Sequence, residues 1–188
     1  VEMRAGVVYG KGGGRELTLT LFIPKDAKAR KPMPGMIFIH GGGWTGGSPQ
    51  QFYRQSGALA AQGIVCASIA YRLSGEAKYP AAVEDAKCAV RWMRASAKEL
   101  NVDPERIGCA GGSAGGHLAA MLATTSHLKK LEGTGGREGV SSRVCLAVLF
   151  NRKPCSLTGR NHKNCLKIHW WLHRKNTFLP PRHEGTKI

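Results

Sequence analysis

The chain of 188 residues contains no run of 18 or more apolar residues, the length a membrane-crossing helix requires. Its longest candidate, Gly63 to Tyr71, is short and bounded by polar residues, which excludes a spanning helix. No charged segment leading into an apolar stretch follows Val1, so a signal peptide is expected to be absent or already removed, and the compartment stays open. Six cysteines (Cys66, Cys88, Cys109, Cys145, Cys155, Cys165) show no C-x-x-C spacing, so neither a metal site nor a disulfide framework is expected. The first three sit in apolar segments, where a thiol packs as a small core residue. A dinucleotide fingerprint is missing too: Gly10 to Gly14 precedes a strand, and Gly111 to Gly116 lacks G-x-G-x-x-G spacing. No cofactor is implied. Acid is scarce, with 12 Asp and Glu against 28 Lys and Arg, a formal charge of +16. Beyond position 113 there is no Asp, and the only acids are Glu132, Glu138 and Glu184.

What is present patterns as alternating strands and helices. Glu16 to Pro24 puts Leu17, Leu19, Leu21 and Ile23 on one face and Thr18 and Thr20 on the other, the period of a half-buried, edge-like strand. Met36 to Ile39 and Gly63 to Leu73 are apolar runs suited to strands covered on both faces. Pro49 to Ala61 can form a helix between them. Pro80 opens a longer one, with Val83, Ala86, Val90, Met93 and Ala97 spaced by three and four. Arg106 to Ala110 gives another strand, and Gly115 to Thr125 a further helix. This alternation predicts an α/β fold, a three-layer sandwich around a mostly parallel sheet.

The pattern stops near Phe150. Residues 151 to 188 hold nine Lys or Arg against one acid, Glu184, a net +8, together with four histidines, the pair Trp170 and Trp171, and no clear period. We expect two regions: 1–150 as the α/β unit, its C-terminal part incomplete, and 151–188 as a poorly packed basic tail. Basic charge beside paired tryptophans would suit nucleic acid, but no recognition motif accompanies it, which argues against that partner.

Two glycine-rich segments carry chemistry. Gly111, Gly112, Ser113, Ala114 and Gly115 spell G-x-S-x-G between a strand and a helix. A serine nucleophile must stand clear of the backbone, and glycines leave room for the sharp turn that does this. Small-residue turns at strand ends also pack helices or hold phosphate, so this pentapeptide alone does not decide. The second segment, His40, Gly41, Gly42, Gly43 and Trp44, follows the strand Met36 to Ile39, where a backbone free of side chains can turn its amides toward an oxyanion. A plain flexible glycine loop is the competing reading.

With these motifs in this order the sequence resembles the α/β-hydrolase fold-3 esterases and lipases. This is the hormone-sensitive-lipase-like group, and the closest likeness is to bacterial feruloyl-esterase-like carboxylesterases. The residues that carry the resemblance are His40-Gly-Gly-Gly-Trp44, Tyr71-Arg-Leu73, Tyr79-Pro-Ala-Ala-Val-Glu-Asp85, Asp103-Pro-Glu-Arg-Ile-Gly108 and Gly111-Gly-Ser-Ala-Gly-Gly-His117, and it covers roughly residues 5 to 148. It implies a small-molecule ester substrate with short acyl or carbohydrate-linked groups. It also implies Ser113 as nucleophile and Gly42, Gly43 and Ala114 as oxyanion-hole donors, with His40, Gly41, Gly111 and Gly115 supporting the motifs. A secreted or periplasmic location is compatible with it. His117 is expected to be structural, pointing along its helix away from the turn, and Asp85 to be a favourable charge at a helix start. Trp44 and Phe52 fit either a pocket wall or the core.

The family orders its triad as serine, acid, histidine. No acid after Ser113 stands in the setting of the family's acid loop, and His162, His169, His173 and His183 lie in the tail. The expectation is a frameshifted or otherwise aberrant end from about Phe150, and an impaired or catalytically dead hydrolase.

Overall fold

The computed structural model describes residues 1–151 and the backbone of Lys167–Leu172. Seven strands form one sheet: β1 (Glu2–Gly12), β2 (Arg15–Ile23), β3 (Met33–Ile39), β4 (Val65–Ile69), β5 (Val102–Gly112), β6 (Leu146–Asn151) and β7 (Lys167–Leu172), in spatial order β1-β2-β4-β3-β5-β6-β7. The central pairings β4-β3, β3-β5 and β5-β6 are parallel, while β1-β2, β2-β4 and β6-β7 are antiparallel. The helices are α1 (Tyr53–Ala61), α2 (Ala81–Ala95), α3 (Ala97–Leu100) and α4 (Ala114–Thr124).

Alternation along each strand sorts its side chains into two cores. Ile37, Ile39, Ala67, Ile69, Ile107 and Cys109 pack with Val83, Val90 and Met93 of α2 and with Leu118 and Leu122 of α4. On the opposite face Phe22, Met36, Phe38, Cys66, Ala110 and Val148 pack with Phe52 and with Ala60 of α1. This is the expected three-layer α/β-hydrolase sandwich, and all three early cysteines are buried in it. Burial pushes the Cys66 thiol up to about 12, which keeps it protonated at neutral pH.

The structure corrects three expectations. The strand at Arg15–Ile23 is not an edge, because β1 covers it. The helix from Pro80 ends at Ala95, and Ala97 begins the separate short α3. Asp85 is more than a favourable charge at a helix start: it is 2% exposed and is the anchor of Arg72, described below. Lys167–Leu172, within the predicted tail, runs as a strand against β6. The packing of 151–188, the tail histidines, and Trp170 and Trp171 as nucleic-acid contacts otherwise lie outside the described residues. Among the described residues no helix is long and apolar enough to cross a membrane.

Candidate active site

Strand β5 ends at Gly112 and helix α4 begins at Ala114, leaving Ser113 alone to make the turn. It does so at φ 53° and ψ −115°, a left-handed backbone setting that a residue with a side chain rarely adopts. Its amide donates to the carbonyl of Phe150 at 2.8 Å, and its carbonyl accepts from the amide of His117 at 3.0 Å, so the strained turn is held from both sides. The Ser113 residue is exposed.

Two flanking glycines are required by contact. A methyl on Gly111 would strike the Gly115 carbonyl, and one on Gly115 would strike the carbonyl of Ile39, closer than real side-chain carbons approach. The first turn of α4 therefore rests on the end of β3, where the glycine loop starts. A Cβ on Gly41 would lie 2.7 Å from the Gly112 oxygen and 3.4 Å from Ser113 Cβ. The two glycine segments, 70 residues apart in sequence, thus meet backbone to backbone.

The loop is held from several sides. His40 is buried and its Nδ1–H donates to the Gly41 carbonyl at 2.8 Å, which fixes its tautomer. Its ring stacks on Tyr71 at 4.4 Å, and the Tyr71 hydroxyl donates to the His40 carbonyl at 3.1 Å. Burial holds the imidazole below its ordinary pKa, hence neutral at pH 7. The Gly41 amide donates to Gln51 Oε1 at 2.6 Å, and the Gly42 carbonyl accepts from Thr45 and Gly46. No described residue accepts from the amides of Gly42, Gly43 or Ala114. Gly42 and Gly43, which follow Gly41 in the loop, are exposed at φ 126° and 62°.

His117 does not simply lie along its helix: its ring meets Trp44 edge to face, centroids 5.5 Å apart, and both line a pocket of about 380 Å³ next to Gly43. Phe52 resolves to the core, stacked on Phe38 at 5.2 Å and touching Phe150 at 6.0 Å beneath Gly112. Behind the pocket, Asp85 accepts from the Arg72 amide at 2.8 Å and from Arg72 Nη2 at 2.6 Å. The carboxylate beside it holds the guanidinium above its ordinary pKa. Sequence reasoning missed Gln51 and this Arg72–Asp85 lock. Gln51 carries no local signal, whereas Tyr71-Arg72 and Glu84-Asp85 both stood in the quoted motifs. Among the described residues no group of three or more His, Cys, Asp or Glu side chains is placed to hold a metal ion.

A sheet whose four central strands β4, β3, β5 and β6 run parallel, with a serine on a strand-to-helix turn faced by a glycine loop, defines an α/β-hydrolase. The family model BD-FAE matches residues 19–151, and the chain belongs to that family, of the α/β-hydrolase fold-3 type. It is 43% identical over 125 residues to esterase LipC of Mycobacterium tuberculosis, covering 66% of this chain and 30% of that protein. It is 42% identical over 96 residues to carboxylesterase NlhH of the same species, covering 50% of this chain and 30% of that protein. Thermogutta terrifontis esterase 2 phosphorylated by paraoxon superposes with a TM-score of 0.72 at 38% identity, covering 79% of this chain and 56% of that one. The chain thus spans about a third of the length of the curated relatives it matches.

Proposed function

We propose that this chain carries the nucleophile half of a carboxylic ester hydrolase that works through an acyl-enzyme on Ser113. The meeting of the strained Ser113 turn with the Gly41 to Gly43 loop carries this reading. Ser113 Oγ would attack the carbonyl carbon of a small ester, with a short acyl or carbohydrate-linked group, as its proton leaves to a base. The carbonyl oxygen, now negative, would accept from the amides of Gly42, Gly43 and Ala114, reinforced by the positive end of α4. Collapse of this intermediate expels the alcohol, which takes up a proton, and water then cleaves the acyl-serine. One such donor is worth about a hundredfold or more in rate.

The acid and base stand at no family position in this sequence. Hole and binding without them leave about 10³ to 10⁴ over water, so the activity of these 188 residues is expected to be impaired. Prolonged incubation with paraoxon, followed by peptide mass mapping, tests the nucleophile. A slow diethylphosphoryl adduct on Ser113, absent in Ser113→Ala, is expected. An adduct on another residue that persists in Ser113→Ala would overturn the assignment.

A further inference from the structure

Strand β1 closes one side of the sheet, so among the described residues no strand lies against its outer edge. Of the five large apolar side chains that stand exposed among those residues, three, Val1, Met3 and Val8, are on or next to this strand, at 42, 57 and 40%. Met3 stands opposite Phe22 and Val8 opposite Thr18, and partners in an antiparallel ladder share a face. That face is the one α1 covers further in, where Phe22 packs in the core and Thr20 Oγ1 lies 2.7 Å from the Tyr53 hydroxyl. The other face of β1 carries Glu2 and Arg4, half-exposed and paired at 2.6 Å. Edge strands that stay single are blunted by lysine, proline or a bulge. Residues 1–10 contain no lysine or proline, and their only charges, Glu2 and Arg4, cancel on a chain whose formal charge is +16. The bulge comes later, where Gly6 takes φ 70° and the ladder shifts between Arg4 and Val7, so Glu2 to Arg4 stays in unbroken register.

We infer that this edge is an interface for a second copy of the chain, with β1 pairing antiparallel to β1 about a two-fold axis at Met3. Charge selects that register. Two identical edges bond only where outward-facing residues meet outward-facing ones, so the axis of such a pair passes through a residue. An axis at Glu2 would set carboxylate on carboxylate, and one at Arg4 guanidinium on guanidinium. An axis at Met3 sets Glu2 opposite Arg4 of the second copy twice over, while the two Met3 side chains meet on the other face. The formal charge of +16 sets most of the surface against a second copy, which leaves this neutral apolar strip as the place of closest approach. Ser113 takes no part in the contact, so the inference stands or falls apart from the esterase reading.

Sedimentation velocity of the 188-residue chain over a concentration series, with circular dichroism of every variant, is the test. A monomer–dimer equilibrium is expected, and Met3→Lys is expected to abolish it by setting two ammonium groups together at the axis. Glu2→Arg alone and Arg4→Glu alone should each weaken association about tenfold, because like charges then face each other twice. The two substitutions combined should restore it. A natively folded chain that stays monomeric throughout would overturn the inference. A dimer that survives Met3→Lys would lie elsewhere on the molecule and overturn it as well, and a double swap that associates no better than the single ones would overturn the pairing about Met3.

Discussion

Ser113 occupies a backbone setting that costs about 1–3 kcal/mol for a residue with a side chain, and its neighbours must over-determine it. Gly111 and Gly115 do so by letting three backbone segments touch, so an added methyl has only carbonyl oxygens to push against. Gly111→Ala or Gly115→Ala is therefore expected to destabilise the fold by about 2 kcal/mol or more. Gly57 in α1 has open space where its Cβ would be and an ordinary φ, so Gly57→Ala should stabilise by about 0.5–1 kcal/mol. Urea titrations of the three variants separate a glycine required by contact from one that is only helical ballast. His40 gives a second test at this scale. The unfolded chain takes up a proton on this side chain near its ordinary value of 6.5, while the buried ring in the fold resists until a lower pH. Its contribution is full above pH 6.5 and is lost as pH falls from there through the folded value. The urea midpoint should drop over that window, and His40→Gln, measured beside it, should drop less.

Helix α2 shows how an element can mislead. Lys87, Arg91 and Arg94 are spaced as a solvent-facing stripe would be, yet Lys87 and Arg91 are 0% and 2% exposed. The segment after α4 folds back over them. Lys87 Nζ donates to the Thr125 carbonyl at 2.7 Å and to Glu132 Oε1 at 2.8 Å, Arg91 Nη1 reaches Glu132 Oε2 at 2.7 Å, and Ser142 donates to Glu132 as well. Burial alone would raise the Glu132 carboxyl, but the hydrogen bonds from Lys87, Ser142 and Arg91 outweigh it and hold it below its usual range. Glu132→Ala strands a buried ammonium and should cost about 3–5 kcal/mol. Lys87→Met and Arg91→Met combined with Glu132→Leu remove the buried charges together and should recover much of that loss in thermal unfolding, and a triple variant as unstable as the single one would contradict the account. Such contacts are why part of the molecule was not legible in the sequence. Leu17 to Ile23 and Met36 to Ile39 announce strands because each has a repeating apolar face. Strand β1 lies at the sheet edge with Tyr9 as its one buried side chain and two register shifts, so no period betrays it. Asp85 looks like a helix-start charge until β4 brings Arg72 to it across 13 residues. Spacing within one element is readable, whereas pairing between elements that are distant in sequence appears only on folding.

At the scale of the whole molecule, the sheet order places β3 and β5 side by side, so the loop after one and the turn after the other meet at the same end of the sheet. Parallel strands bring their C-terminal ends together in this way, and open α/β sheets bind ligands there. The meeting of the two glycine segments was readable, since both follow apolar strands. The proposed chemistry at Ser113 needs a base to take the hydroxyl proton, and no Asp follows Ser113 to orient one in the family's order. This chain should therefore hydrolyse p-nitrophenyl butyrate orders of magnitude more slowly than a chimera in which residues 151–188 are replaced by the C-terminal segment of a complete relative. The chimera's gain should be abolished by Ser113→Ala, because activation by a base requires the nucleophile it activates. Initial rates of the two proteins and their Ser113→Ala variants decide it. Full activity from the present chain would require a tail histidine such as His162 or His169 to reach Ser113 and would overturn the missing-triad account. An active chimera indifferent to Ser113→Ala would remove the esterase assignment itself.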